Sequence, residues 1–354
     1  ARSRRTPRAG PLSIVMSSRA VDIAAEVLGS MAQRDVPYGS RTTYRVGGRA
    51  ALGMEITAPE QLADVARAVG ASGVAVQILG RGSNTLVADR GFDGLLIWFG
   101  DWAEQIDIVD RDDAVIDRAA MIDDDGVVTV RAGGAVSLPV LARRTVAAGL
   151  TGLEWMVGVP GTIGGAVRMN AGGHGSDMAS CLVGVRVCDL TTGEDKNMTV
   201  AELGFGFRHS QLPDGAVVLG ADLAVRRGDR ATSEAELAEI VRWRREKQPG
   251  GQNAGSVFVN PLPHTAGALI DAAGLRGVRH GSAEVSTKHA NFIQADENGS
   301  ADDVLELMQF VRSRVAAHAG IVMRSEIRLV GFDTDLNTGD LNAGDRAAIE
   351  SEPS

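Results

Sequence analysis

The chain has 354 residues, of which 44% are apolar, and it carries a formal net charge of −9. This length is sufficient for two or three domains with sizeable hydrophobic cores. The negative charge argues against a general nucleic-acid-binding protein, because phosphate backbones select basic surfaces, and the apolar segments are too short to cross a membrane.

The sequence contains two cysteines, Cys181 and Cys188, whose spacing fits neither a metal site nor a CxxC redox motif. We therefore predict that both are small buried residues in a reducing compartment. The histidines also lack metal-ligand spacing, so no metal site is predicted. The apolar run over residues 12–16 is too short for the core of a signal peptide, and the sequence thus predicts a cytoplasmic protein.

Local patterns predict the N-terminal elements in chain order. Residues 1–18 begin with a basic, proline-interrupted run and are predicted to be a disordered extension. Helical apolar spacing follows over residues 21–31. A strand over 52–56 then leads to a T-x-x-E capping box of Thr57 and Glu60, which opens an amphipathic helix.

Two glycine-rich segments are the main functional signal. One is ILGRGSNT at 78–85, which follows a strand over 74–78, and the other is VGVPGTIGGAVRMNAGG at 157–173. Such segments let the backbone approach a ligand closely and direct N–H groups at oxyanions. Either segment alone could be a tight turn, but two of them favour a dinucleotide diphosphate. A strand over 94–99 follows the first segment where a Rossmann fold requires a helix, which argues against that fold.

Turn, cap and periodicity signals predict the remaining elements. The first is a hairpin over 106–132 with its turn at 123–126, followed by a helix that Ser137 caps and that ends at 148. Two strands come next, one over 183–190 and one that ends before 201, and then a helix over 237–245 with Ser233 and Glu236 as its capping box. The last four elements are a helix over 266–273, a strand over 290–294, a helix over 300–319 and a strand over 326–330. The basic second half of the helix over 237–245 is typical of a solvated face.

Seven motifs occur in one order along the chain: ILGRGSNTLV, GLEWMVGVPGTIGGAVRMNAGG, GFRHS, NAGSVFVNP, AGALIDAAGLRG, KHANFIQA and SEIRLVG. Together they resemble the UDP-N-acetylenolpyruvoylglucosamine reductase (MurB) family over residues 42–331. In that family NADPH reduces FAD, which passes hydride to the enolpyruvyl group of UDP-N-acetylglucosamine enolpyruvate and gives UDP-N-acetylmuramate for peptidoglycan. The resemblance implies non-covalent FAD, NADPH as co-substrate and a small nucleotide-sugar substrate, and it indicates no oligomeric state.

The resemblance implies an α+β fold. A two-subdomain FAD-binding domain of the vanillyl-alcohol-oxidase (PCMH) type would precede a C-terminal α/β substrate-binding domain. The expected segments are the extension 1–18, an FAD-binding domain 19–219 with subdomains about 19–90 and 91–219, a substrate-binding domain 220–320, a returning strand 321–331 and a disordered tail 332–354.

The resemblance also implies the site residues. Three catalytic positions carry over to Arg208, Ser256 and Glu326, and two contacts to the substrate diphosphate carry over to Lys247 and Asn260. His289 matches a polar position near the substrate less specifically. The flavin contacts fall on Gly80, Arg81, Gly82, Ser83, Asn84, Val159, Pro160, Gly161, Thr162, Gly164, Gly165, Asn170, Ala171 and Gly172.

The expected chemistry suits these residue types. Hydride addition to the enol ether leaves negative charge in the substrate carboxylate, which the guanidinium of Arg208 can hold through two N–H bonds. Glu326 is expected to have a raised pKa, since an ionised carboxylate would repel that charge. Ser256 would supply the proton. Without the family motifs, Arg208 could equally be an ordinary surface arginine, Ser256 a hydroxyl in a turn, and Glu326 a strand residue in an ion pair.

The sequence departs from the family pattern near the expected substrate site. Phe207 replaces a frequent tyrosine, and Tyr38 and Tyr44 are the only tyrosines, so the substrate loop that carries a tyrosine in some members is absent. We expect the basic helix that ends at Lys247 to bind the diphosphate instead. Two alternatives remain: an oxygen-using oxidase on the same fold, or a nucleotide-sugar sensor without redox activity.

Overall fold

Helices and strands are distributed along the whole of the computed structural model, which describes residues 11–109 and 127–336. The α-helices in these ranges are α1 (Pro11–Leu28), α2 (Gln61–Ser72), α3 (Leu138–Ala147), α4 (Ile163–Met169), α5 (Met178–Cys181), α6 (Arg230–Lys247), α7 (Ala266–Ala272) and α8 (Ala301–Ala319). The described helices include none that is both long enough and apolar enough to span a membrane.

Most strands are short and belong to one of two larger sheets. The strands are β1 (Gln33–Pro37), β2 (Arg49–Ile56), β3 (Val76–Leu79), β4 (Thr85–Val87), β5 (Phe92–Phe99), β6 (Ile106–Val109), β7 (Val127–Gly133), β8 (Leu150–Thr151), β9 (Gly172–Gly173), β10 (Ser176–Asp177), β11 (Leu182–Asp189), β12 (Glu194–Thr199), β13 (Ala216–Arg227), β14 (Arg279–His280), β15 (Ala283–Val285), β16 (Ile293–Ala295) and β17 (Arg328–Val330).

The first sheet has the strand order β1-β2-β5-β3. Strands β2, β5 and β3 are parallel, whereas β1 pairs antiparallel with β2. Residues of α1, α2 and this sheet share one hydrophobic core, in which Leu52, Ile56, Val65 and Ile97 are fully buried. The parallel arrangement brings the loop after β3 to the carboxyl edge of the sheet, where ligands bind in open α/β sheets.

The second sheet is antiparallel, with the order β12-β11-β13-β7-β6 and β8 paired to β13. The predicted hairpin over 106–132 is confirmed as the β6–β7 pair, while its turn at 123–126 lies outside the described residues. Helices α3, α4 and α6 contribute to the core against this sheet through residues such as Leu141, Ile163 and Ile240.

The C-terminal part combines a three-stranded sheet, β14-β15-β16, with α7 and α8. Strand β17 then leaves this part and pairs in parallel with β4, with Arg328 opposite Thr85 and Val330 opposite Val87. The hydrophobic core of this part also includes Tyr44 from the N-terminal half. Strand β17 is therefore attached to the segment that follows the first glycine-rich loop.

Both cysteines are free and buried, as predicted. Burial raises the pKa of Cys181 to about 12 and that of Cys188 to about 11. Neither thiol is therefore ionised near neutral pH, and neither is a reactive nucleophile.

Two N-terminal helix starts differ from the prediction. Helix α1 begins at Pro11 instead of residue 21, so part of the predicted extension 1–18 is helical; proline suits a first helical turn because it lacks an N–H that needs a partner. In α2, the Thr57 N–H donates to Gln61 Oε1 at 2.7 Å, so the capping partner is Gln61 and not Glu60. Gln61 follows the predicted partner Glu60 by one residue, and it is the first residue of α2.

Helix α6 also starts earlier than residue 237, since Asp229 caps it by accepting a hydrogen bond from the Thr232 N–H at 2.9 Å. Ser233, the predicted cap, lies inside the helix and donates instead to Glu154 Oε1 at 2.6 Å. The predicted capping box of Ser233 and Glu236 is therefore wrong, because Ser233 makes a tertiary contact.

Candidate active site

A cavity of about 1310 Å³ lies where the two large sheets and the C-terminal part meet. Its wall is built by both glycine-rich loops, by residues 254–256 and by β17. Most small-molecule sites have volumes of roughly 300 to 1,000 Å³. This cavity can therefore hold a dinucleotide together with a second ligand.

The two glycine-rich loops are in direct contact, and their backbones line the cavity. A Cβ atom on Gly80 would lie 2.6 Å from Thr162 Oγ1, so no larger residue fits there. Ser83 Oγ donates to the Pro160 carbonyl oxygen at 2.8 Å, and Thr162 Oγ1 accepts from the Gly165 N–H. This close approach of two backbones suits a diphosphate, so the loops fit the predicted FAD.

Every predicted flavin contact except Asn170 lines the cavity. Its side chain is 5% exposed and lies behind the wall. The Asn170 Nδ2 group donates to the Gly206 carbonyl oxygen at 3.1 Å and to Asp177 Oδ2 at 3.2 Å, and Oδ1 accepts from the Ala179 N–H at 3.0 Å. The side chain thus holds the turn that precedes Arg208.

Arg208 projects from that turn into the cavity. Its backbone is left-handed, with φ of 53°, an uncommon conformation for a residue with a side chain. Nε donates to Glu326 Oε1 at 2.8 Å, Nη2 donates to the Gly172 carbonyl oxygen at 2.8 Å, and Nη1 donates to that of Asn170 at 3.4 Å. Both terminal nitrogens therefore bond only neutral acceptors in these contacts.

Glu326 is the buried partner of Arg208, with a side chain that is 16% exposed. Burial raises the pKa of Glu326, and the charge and hydrogen bond of Arg208 oppose this effect without cancelling it. The expected direction of this pKa shift is therefore confirmed. Glu326 can retain its proton to a higher pH than an exposed glutamate.

Ser256 also lines the cavity, directly after Gly255, whose φ is 78°. The Glu326 N–H donates to the Val257 carbonyl oxygen at 2.8 Å, so Ser256 and Glu326 lie on neighbouring backbone segments. The structure therefore brings together the three predicted catalytic residues, although 48 and 70 positions separate them along the chain (256 − 208 and 326 − 256).

The three predicted substrate contacts lie outside the cavity wall. Lys247 is exposed at the end of α6, and exposed Asn260 accepts the Ala266 N–H at 2.9 Å at the start of α7. His289 packs against Phe292, with ring centroids 4.8 Å apart, and burial lowers the pKa of His289. Their roles as substrate contacts stay predictions.

Three residues in or directly after α6 line the cavity instead, and none of them was predicted as a site residue: Trp243, Arg244 and Gln248. A helical signal could have identified two of them, because Arg244 and Gln248 follow the buried Ile240 at intervals of four residues. The basic second half of α6 is therefore not uniformly solvated, and one of its arginines faces the cavity.

Two family models match the chain. Residues 246–330 match "UDP-N-acetylenolpyruvoylglucosamine reductase, C-terminal domain", and residues 51–198 match "FAD binding domain". The UDP-N-acetylenolpyruvoylglucosamine reductase of Heliobacterium modesticaldum is 40% identical over 313 residues, which cover 87% of this chain and 93% of that protein. The chain belongs to the UDP-N-acetylenolpyruvoylglucosamine reductase family.

Other members of this family agree with the assignment. The protein of that name from Paramagnetospirillum magneticum is 39% identical over 318 residues, which cover 89% of this chain and 96% of the relative. The crystal structure of MurB from Thermus caldophilus has a TM-score of 0.69 and 31% identity, and the match covers 84% of this chain and 98% of that one. The predicted family, the α+β fold with its FAD-binding domain and the FAD-dependent oxidoreductase class are confirmed.

Proposed function

We propose that this protein is a UDP-N-acetylmuramate dehydrogenase, which reduces the enolpyruvyl group of UDP-N-acetylglucosamine enolpyruvate in peptidoglycan synthesis in the cytoplasm. NADPH is the proposed electron source. FAD, bound without a covalent link on the two glycine-rich loops, would carry hydride from NADPH to the methylene carbon of the substrate. The observation that carries the proposal is the cluster of Arg208, Glu326 and Ser256 beside those loops.

Arg208 is proposed to bind the carboxylate of the substrate. Its two terminal nitrogens donate to the carbonyl oxygens of Asn170 and Gly172, and a carboxylate is the stronger acceptor for a guanidinium. Negative charge grows on that carboxylate as hydride adds, so this contact strengthens towards the transition state. Glu326 keeps Nε occupied and fixes the direction of the guanidinium.

Ser256 is proposed to donate the proton. One C–H bond forms with the incoming hydride and the second forms with the proton of the Ser256 hydroxyl, while the carbon–carbon double bond becomes single. The serine alkoxide then regains a proton from solvent. A hydroxyl is a weak acid, but an enolate is a strong base and fixed geometry makes the transfer efficient.

The proposed function is tested by following flavin absorbance under anaerobic conditions. NADPH should bleach the flavin, and UDP-N-acetylglucosamine enolpyruvate should then restore the colour with one equivalent of UDP-N-acetylmuramate formed. A flavin that stays reduced with this substrate but reoxidises in air would support an oxidase. A colourless protein would support the sensor alternative.

The role of Ser256 is tested by Ser256→Ala in the same experiment. The variant should be reduced by NADPH at the rate of the unmodified protein, whereas reoxidation by the substrate should slow at least about a hundredfold, within the range for a positioned proton donor. Equal losses in both half-reactions would reject this role.

A further inference from the structure

The proposed proton donor, Ser256, lies in a segment without regular secondary structure. Residues 253–260 belong to no helix or strand. No residue that the structure describes forms a hydrogen bond with the Ser256 hydroxyl. On the N-terminal side, the Gly255 N–H donates to Asn253 Oδ1 at 3.0 Å, which is a contact within the segment itself. The position of the hydroxyl therefore depends on the contacts that hold residues 257–258.

Asn291 binds the backbone on the C-terminal side of Ser256. It is 3% exposed and lies in the turn before β16. The Phe258 N–H donates to Asn291 Oδ1 at 2.9 Å, and Asn291 Nδ2 donates to the Phe258 carbonyl oxygen at 2.8 Å. The Asn291 carbonyl oxygen also accepts from the Val257 N–H at 2.9 Å. One residue thus binds three backbone groups of the two residues that follow Ser256.

The side-chain amide of Asn291 satisfies both backbone groups of Phe258 at once. An N–H needs an acceptor and a carbonyl oxygen needs a donor, and the amide of asparagine provides one of each. Phe258 is 1% exposed, so bulk water is excluded from both bonds. Loss of the amide would leave a buried donor and a buried acceptor without partners, which is costly. The backbone at Phe258 would therefore move to find other partners.

The turn that carries Asn291 is held by its own neighbours. The Asn291 N–H donates to His289 Nδ1 at 3.3 Å, and the Phe292 N–H donates to the His289 carbonyl oxygen at 3.0 Å. Phe292 lines the cavity, and its ring packs against that of His289. The Glu326 N–H donates to the Val257 carbonyl oxygen at 2.8 Å. The backbone after the proposed proton donor is therefore fixed between this turn and a second catalytic position.

We propose that Asn291 is a positioning residue for proton transfer, because it holds the backbone that presents the Ser256 hydroxyl to the cavity. Asn291 does not line the cavity, so it acts through Ser256 and not on the reacting atoms. The proposal rests on the proposed function, in which Ser256 donates the proton. Misplacing a reacting group by about 1 Å can slow a reaction about a hundredfold. Loss of the Asn291 amide therefore slows the transfer, but by no more than loss of the Ser256 hydroxyl itself.

The test is a double-mutant cycle that follows reoxidation of the flavin by UDP-N-acetylglucosamine enolpyruvate in anaerobic stopped-flow experiments. Asn291→Ala should slow reoxidation about tenfold and leave reduction by NADPH unchanged. In a protein that already carries Ser256→Ala, the same substitution should change the reoxidation rate less than about twofold, because no hydroxyl is left to position.

Ser286→Ala is the matched control. Ser286 is 1% exposed in the same part of the molecule, and its Oγ accepts the Lys288 N–H at 3.2 Å. The variant thus removes a buried side-chain bond to the backbone without touching residues 256–258. It should leave both half-reactions at the rates of the unmodified protein.

A loss of about tenfold in both backgrounds would overturn the proposal, since Asn291 would then act on the site as a whole and not through Ser256. An unchanged reoxidation rate in Asn291→Ala, or equal losses in both half-reactions, would overturn it as well. Asn291→Asp is a second variant if alanine prevents folding. It keeps the volume and the acceptor for the Phe258 N–H but places an oxygen against the Phe258 carbonyl oxygen, and the same pattern of rates is expected.

Failure of the proposed function is distinguishable from failure of this role. If the unmodified protein does not reoxidise with UDP-N-acetylglucosamine enolpyruvate, the proposed function is rejected and the role of Asn291 with it. If the unmodified protein reoxidises and only the pattern among the variants differs from the expected one, the role of Asn291 alone is rejected.

Discussion

Asn170, with φ of 39°, and Arg208, with φ of 53°, hold left-handed backbone conformations beside the cavity although neither is glycine. Such conformations cost on the order of 1 to 3 kcal/mol each and persist where surrounding contacts impose them. The hydrogen bonds of the Asn170 side chain to Gly206 and Asp177 are contacts of this kind. They make the turn that presents Arg208 rigid.

We predict that Asn170→Gly slows reoxidation of the flavin by the substrate about tenfold and leaves its reduction by NADPH unchanged. Glycine accepts the left-handed backbone, so the variant removes only the side-chain bonds that hold the turn before Arg208. Stopped-flow absorbance measures both steps. Asn298→Gly is the control, because exposed Asn298 has φ of 59° away from the cavity. Loss of bound flavin would show instead that Asn170 serves the cofactor.

We predict that Glu326 makes stability depend on pH. Because its pKa is raised above the ordinary value of 4.5, its contribution to folding is complete below that value and is lost as pH rises through the native pKa. Glu326→Gln cannot ionise, so the melting temperature of the unmodified protein should fall relative to the variant as the pH rises above 4.5 and through the native pKa. A difference in melting temperature that does not change as the pH rises from 4.5 would contradict the prediction.

At the scale of elements, a buried carboxylate fixes the position of α6, which contributes residues to the cavity wall. Glu154 is 4% exposed and accepts hydrogen bonds from the Ser233 hydroxyl at 2.6 Å, the Thr151 hydroxyl at 2.7 Å and the Gly152 N–H at 2.7 Å. Burial on its own would raise the pKa of Glu154, but these bonds lower it. The carboxylate is therefore ionised, and it fixes α6 against the segment before the second glycine-rich loop.

Ser233→Ala should lower the free energy of unfolding by about 1 to 3 kcal/mol, because it removes a donor from a buried carboxylate. Urea denaturation of the flavoprotein measures this change. Glu234→Ala is the control on the next residue, whose exposed ion pair with Arg230 should contribute less than about 1 kcal/mol. Similar losses in both variants would contradict the importance of the Glu154 contact.

The accuracy of the predicted elements depended on whether their signals were local. Helix α8 matches the prediction because Ser300 caps it through the Asp303 N–H and its apolar spacing is regular. The predicted start of α6 was wrong. Ser233 and Glu236 have the sequence pattern of a capping box, but the Ser233 hydroxyl donates to Glu154, 79 positions away. The local sequence pattern around Ser233 cannot indicate a hydrogen-bond partner so far away in the sequence.

At the scale of the whole molecule, the cavity depends on segments that are distant in sequence. The first loop meets the second through the bond from Ser83 to Pro160, and β17 returns to β4 beside Glu326. Asn84 Nδ2 also donates to the Glu326 carbonyl oxygen at 3.1 Å. A ligand held between these segments would therefore stabilise the fold as a unit.

We predict that removal of FAD lowers the melting temperature and that added FAD restores it. A ligand that binds only the folded state at a hundred times its Kd contributes about 2.7 kcal/mol. Differential scanning calorimetry of the flavin-free and reconstituted protein measures the shift. Riboflavin is the control, because it lacks the diphosphate that both glycine-rich loops are expected to hold. An equal shift with riboflavin would contradict the role of the loops.

The sequence by itself determined the two glycine-rich loops, the strand after the first of them that argues against a Rossmann fold, and the motifs that identify the family. These features are local, because backbone preferences and side-chain periodicity depend on residues that are close together in the sequence. Only the tertiary structure decided that Arg244 faces the cavity, that Lys247 does not, and that Asn170 supports the turn before Arg208. The direction of a side chain depends on the element packed against its own, and those partners lie far away along the chain.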